Sequence, residues 1–186
     1  MKDIYVVKEG KRLRCGYTTG SCSAAAAKAC AIMLESGRII GSVSIDTPYG
    51  IRLDLKVEDP HIYNKYASCF IVKDGGDDPD VTDGIKIYAK VSKRDDSDIV
   101  IDGGEGIGRI TRKGPFGNIG DAAINPVPRA MIKDEIKKVS KCGFNVIIYA
   151  PKGAEIGKKT FNENIGIKGG ISIIGTSGID SYVFIE

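Results

Sequence analysis

Tryptophan is absent from this chain of 186 residues, and histidine occurs once, at His61. A single histidine, following Pro60 with no evident partner, argues against a catalytic triad and against a histidine-rich metal site. The five cysteines, Cys15, Cys22, Cys30, Cys69 and Cys142, are an odd set without a CxxC pair. They suggest neither a disulfide framework nor a zinc site, and no metal is expected. They read as small packing residues in a reducing cytoplasm, with Cys22 the exception, because a helix start nearby would favour its thiolate. No apolar run approaches the length of a membrane span, and MKDIYVVKEG at the start lacks the apolar core of a signal peptide. A net charge of +3 is too close to neutral to argue for nucleic acid. The expectation is one cytoplasmic domain with no membrane or nucleic-acid partner.

What is present is glycine, 24 residues of it, among continuing apolar runs. That combination means turns and close backbone contacts, not disorder. Residues 21–36 carry Ala, Leu, Met and Lys and end at Gly37, which predicts a helix with a glycine C-cap lying close to a sheet. SVSID (42–46) and IRLDLKVE (51–58) flank a Pro48-Tyr49-Gly50 turn and predict a hairpin. In its second strand Ile51, Leu53, Leu55 and Val57 alternate with charged residues, the sign of one wet face. Further strands are expected at 67–74, 85–92, 98–102, 106–112, 144–150 and 170–175. A second helix is expected from Pro128 to Gly143 and a short one over 154–160. The fold class is α+β, a mixed or antiparallel sheet with helices on one face.

Three stretches carry groups able to do chemistry. GYTTGSCSAAAAKA (16–29) opens a helix whose first amides can attract an anion, with hydroxyls at Thr18, Thr19, Ser21 and Ser23 and with Arg12 and Arg14 upstream. The plainer alternative is a capped helix start. KDGGDDPDVTDG (73–84) crowds five aspartates into a glycine-rich loop. It could hold a hard cation, though it misses the EF-hand spacing, or supply a general base from Asp77, Asp78 or Asp80, or be a solvated turn. The third stretch, 102–132, fails the dinucleotide pattern because Arg109 stands where a small residue is needed and a strand follows. It leaves Glu105, Arg109, Arg112 and Lys113 on a glycine-rich surface, with Asn125 just ahead of Pro126-Val127-Pro128; a plain hairpin is the alternative.

Taken in order, RCGYTTGSCSAAAAKA, VKDGGDDPDVTDG, GGEGIGRITRKG, AINPVPRAMI and KTFNENIGIKGGISIIGTSGI resemble successive signatures of the CbiD family, from about Arg14 to Ile179. The resemblance implies cobalt-precorrin-5B C(1)-methyltransferase activity in anaerobic cobalamin synthesis, with S-adenosylmethionine as methyl donor and cobalt only as part of the substrate. It also implies a first domain related by permutation to ribosomal protein S5 domain 2. Family chains are about twice as long and add a second α/β domain, whereas here DSYVFIE follows Ile179, so the chain is expected to correspond to the first domain. A second-domain chain or a further copy would then be a partner. A corrin precursor carries many carboxylates. Arg14, Tyr17, Thr18, Thr19, Ser21, Glu105, Arg109, Arg112 and Asn125 are candidate substrate contacts, and Asp77, Asp78 and Asp80 candidate catalytic groups. Residues that contact the donor are not assigned. Two alternatives stand beside this reading, a phosphate-binding domain like those of small-molecule kinases and a non-catalytic tetrapyrrole holder.

Overall fold

The computed structural model describes residues 4–8, 10–113 and 117–180; Gly114, at the end of the third motif, and SYVFIE beyond Asp180 lie outside them. The first half of the chain forms β1 (Tyr5–Lys8), β2 (Lys11–Arg14), β3 (Gly16–Tyr17), α1 (Thr19–Ser36), β4 (Ser42–Asp46), β5 (Arg52–Lys56), β6 (Glu58–Ile62), β7 (Ala67–Val72) and β8 (Lys86–Lys93). The second half adds β9 (Ile99–Gly103), β10 (Arg109–Ile110), α2 (Pro126–Lys137), β11 (Phe144–Tyr149), α3 (Gly153–Gly157), β12 (Ile167–Lys168) and β13 (Ile179–Asp180).

A five-stranded sheet in the order β6-β7-β8-β11-β9 is the largest layer. Only β11 and β9 run parallel; the other pairs are antiparallel, so the sheet is mixed and the class α+β. Alternation selects the covered face, which carries Cys69 and Ile71 from β7, Ile87, Ala89 and Val91 from β8, and Val146 and Ile148 from β11. Helix α1 lies on that face, where Cys69 Sγ is 3.4 Å from Ala26 O and 3.5 Å from Cys30 Sγ.

On its other sides α1 meets α2 and the β4-β5 hairpin. Ala24, Ala25, Ala26, Ala27, Ala29 and Ala31 are therefore all fully buried. A helix buried on every side has no polar stripe, which explains the alanine tract better than contact with a sheet alone. Thr18 caps it, so it starts two residues ahead of the expected Ser21, and Gly37 closes it in the left-handed region at φ 67°. The β4-β5 hairpin is antiparallel, as its alternation predicts, with Leu53 and Leu55 inward.

Several elements differ from the sequence reading. Helix α2 begins at Pro126 and ends at Lys137, well before Gly143, because its last turn gives way to a loop leading to β11. The stretch 170–175 makes no continuous strand. Ile171 bridges Ile107 and Ile173 bridges Ile124, both in parallel, so the segment changes partner after each pair and builds no ladder. The β1-β2 hairpin and the short β3, β6, β12 and β13 were not expected. Of these, β3, β12 and β13 are two residues long, below the length at which alternation can be read.

Candidate ligand-binding site

The start of α1 is tied to a segment more than 150 residues away. Thr19 Oγ1 accepts from Ile174 N at 3.0 Å and donates to Ile174 O at 3.3 Å. Gly20 N donates to Ile174 O at 2.9 Å, and Ser21 Oγ donates to Gly178 O at 2.6 Å. Ser21 N donates to Thr18 Oγ1 at 3.2 Å. The amides of Gly20 and Ser21, which an open helix start would offer to an anion, are thus taken by the protein itself. That also removes part of the cradle a kinase-like phosphate site needs. Gly20 has a packing reason: a Cβ there would lie 2.9 Å from Pro128 Cγ and 3.0 Å from Ile174 O. Thr19→Val is expected to lower stability by about 1 to 2 kcal/mol, because the Ile174 amide loses its partner. Urea denaturation measures it, and an unchanged midpoint would deny Thr19 this tie.

The acidic loop is built from internal pairs. Arg14 holds Asp74 in a two-pronged contact at 2.6 and 2.8 Å, and Arg14 N donates to Asp77 Oδ2 at 2.7 Å. Gly75 N donates to Asp83 Oδ1 at 2.8 Å, while Asp80 accepts from Thr82 N at 2.9 Å and from the Thr82 hydroxyl. The carboxylates are spread over separate partners, and among the described residues no His, Cys, Asp and Glu groups are arranged to hold a metal ion.

Lys73, at the head of this loop, is the buried charge. Its side chain is 2% exposed, and Nζ lies 2.8 Å from Asp80 Oδ2 and 2.5 Å from Asp180 Oδ2. Burial works against the Lys73 ammonium, but the bonds to Asp180 and Asp80 outweigh it and hold its pKa above the usual lysine range. Burial likewise pushes Asp80 up, yet Lys73 and Thr82 bring its carboxyl below the ordinary aspartate value. Asp78 goes the other way: burial and then the negative charges of Asp180 and Asp80 raise it. Cys22 is fully buried, and that burial pushes its thiol up, so the helix start does not make it a thiolate.

Lys73, Asp80 and Asp180 face a cavity of about 610 Å³. Thr18 and Thr19 contribute from the α1 start, Asn125 from the cap position of α2, and residues 160–180 form the remaining wall. Asn125 makes no capping bond with its side chain, which leaves the amide to the cavity. Around the mouth stand four large apolar side chains that are half to three-quarters exposed or nearly so: Phe161, Val81, Ile174 and Ile165.

Of the residues singled out from sequence, Thr18, Thr19, Asp80 and Asn125 meet at this cavity. The others have work elsewhere. Tyr17 donates its hydroxyl to Val72 O at 2.8 Å, and Ser21 is buried against Gly178. Arg109 pairs with Asp102 at 2.7 Å and reaches Gly103 O, bracing β9. Arg112 donates to Asn164 O at 2.5 Å, Arg12 lies over the Tyr5 ring at 3.8 Å, and Glu105 is exposed in a turn whose carbonyl accepts from Ala150 N. Lys73, Asp180 and the apolar rim went unnoticed. A lysine heading an acidic run is a readable signal for the first; nothing local marks Asp180, which arrives through the pairing of β13 with β3.

The family model described as CbiD matches residues 6–181. The chain belongs to the CbiD family. It is 66% identical over 179 residues to a cobalt-precorrin-5B C(1)-methyltransferase of Alkaliphilus oremlandii, covering 96% of this chain and 50% of the relative. A protein of the same name from Treponema denticola is 64% identical over 182 residues, covering 95% of this chain and 50% of that one. The crystal structure of the cobalamin biosynthesis protein CbiD from Archaeoglobus fulgidus superposes with a TM-score of 0.70 at 33% identity, over 95% of this chain and 57% of that chain. This CbiD chain spans about half the length of the curated relatives it matches.

Proposed function

We propose that this CbiD chain takes part in methylating carbon 1 of cobalt-precorrin-5B in anaerobic cobalamin synthesis, as an enzyme using S-adenosylmethionine. The observation that supports it most is identity of 66% and 64%, across nearly the whole chain, with proteins named for that reaction. In such a transfer the carbon–sulfur bond of the sulfonium breaks as the new carbon–carbon bond forms, and the thioether departs. Alignment of the two reactants dominates that step. The cavity at the α1 start is where this chain offers a walled space, with Thr18 and Thr19 in its wall and Asn125 as its polar contact. Asp78, whose carboxyl is raised above the ordinary aspartate value by burial and then by the charges of Asp180 and Asp80, is the candidate proton carrier. Cobalt enters only within the substrate.

The chain corresponds, on this reading, to the family's first domain, in the permuted arrangement related to ribosomal protein S5 domain 2. The second α/β domain, or another copy, is its partner in the cytoplasm. Anaerobic incubation with cobalt-precorrin-5B and S-adenosylmethionine, with and without a chain carrying the family's second domain, tests it by the mass of the product. A gain of one methyl group in either mixture supports the proposal. Tetrapyrrole binding with no gain in both mixtures would replace it with a non-catalytic holder.

A further inference from the structure

We infer that the cavity at the α1 start receives the methyl donor, an adenosyl sulfonium, and is not the surface that grips the carboxylates of the tetrapyrrole. The inference rests on the methyltransferase reading above and assigns one of its two ligands to one place.

Charge decides between them. Among the described residues, the charged side chains on the cavity wall are Lys73, Asp80 and Asp180, and the lysine is spent on both carboxylates. One negative charge is left over. Asp78 lies close enough to Asp180 and Asp80 that, after burial, their negative charges raise its pKa. A ligand rich in carboxylates would add anions to this wall, whereas an onium group would offset it. The arginines suited to carboxylates are elsewhere: Arg109 is bound to Asp102 and Arg112 to the carbonyls of Glu163 and Asn164.

Shape agrees with charge. A cavity of about 610 Å³ is in the range that encloses one ligand of drug size. A planar heteroaromatic ring suits a mouth lined by Phe161, Ile165 and Ile174, which are 74%, 44% and 51% exposed and would lose that exposure to water. Thr176 lines the same space and offers a hydroxyl suited to a ribose.

Calorimetric titration of the 186-residue chain with S-adenosylmethionine and with S-adenosylhomocysteine tests it, since the two differ by the methyl group and the positive charge. The sulfonium is expected to bind about five- to tenfold tighter, the size of one partly buried charge contact. Asp180→Asn should bring that ratio close to one while Lys73 keeps Asp80. Phe161→Ala, at a position too exposed to endanger folding, should weaken both ligands alike and leave binding of uroporphyrin, a polycarboxylate tetrapyrrole, unchanged. Equal affinities for the two adenosyl ligands would overturn the assignment. So would uroporphyrin binding that Phe161→Ala abolishes. Binding of uroporphyrin with no adenosyl ligand bound sinks the assignment and leaves the methyltransferase reading intact, and binding of neither class counts against both.

Discussion

Gly170→Ala is expected to lower the stability of this chain by about 3 kcal/mol or more, a large part of the roughly 5–15 kcal/mol typical of a domain. A Cβ at Gly170 would lie 2.1 Å from Gly106 O and 2.4 Å from Gly106 C. A Cβ at Gly153 would also fall 2.1 Å from Gly106 O, so three backbone segments meet at one carbonyl. These neighbours are main chain and cannot swing aside as a flexible side chain would. Relief requires the segments to part, and Ile171 N, which donates to Gly106 O at 3.0 Å, sits at the same point. Asn162 Nδ2, donating to Gly170 O at 3.0 Å, anchors the far side. Gly41→Ala is the control, since nothing lies within 4 Å of a Cβ there; it should leave stability unchanged or raise it by a few tenths of a kcal/mol. Urea denaturation of both variants measures the contrast. Equal midpoints would show that the three segments do not meet as described.

Glu135→Ala is expected to cost about 3 to 5 kcal/mol, because it takes the bonded carboxylate from the largely buried Lys28 and leaves its Nζ the Ser44 carbonyl at 2.7 Å. The Glu135 side chain is 2% exposed and accepts from Lys28 Nζ at 2.7 Å, from Asp46 N at 3.0 Å and from Lys138 Nζ. Lys28 is itself only 15% exposed. One carboxylate thus joins α1, α2 and β4. Burial pushes the Glu135 carboxyl up, but the bonds from Lys138, Lys28 and the Asp46 amide prevail and hold it below the usual glutamate value. A folded-state value below the unfolded one means that its contribution is present above about pH 4.3. It is lost as the pH falls through the folded-state value. Glu135→Gln should therefore destabilise the chain at neutral pH, and its deficit against wild type should shrink in acid. Denaturation curves from pH 7 downwards check the sign; a deficit that grows in acid would contradict it.

Local chemistry was readable where one element carried the whole signal. The alternation of Leu53 and Leu55 announced the β4-β5 hairpin, and Gly37 marked the end of α1. Asn125 and Asp80 were singled out by proline and acidic context, and both reach the cavity. Arg109 and Arg112 looked equally suited to a ligand, because charge and spacing do not reveal that Asp102 and two backbone carbonyls already hold them. The hydroxyls after Gly16 were ambiguous for the same reason: a cap and an anion site use the same residue types, and Ile174 and Gly178 are the groups that occupy them.

The sequence by itself determined the family, the α+β class and the places of the main helix and the hairpin, since each depends on nearby residues or on their order. Tertiary structure alone decided which polar groups are spent and which face a ligand. Lys73 becomes the centre of a buried ion cluster only because β13 returns beside β3 and delivers Asp180, and Phe161, Ile165 and Ile174 become a rim only because their segment docks on the α1 start. Hydrogen bonds and burial are properties of neighbours in space, and 107 positions separate Lys73 from its second carboxylate.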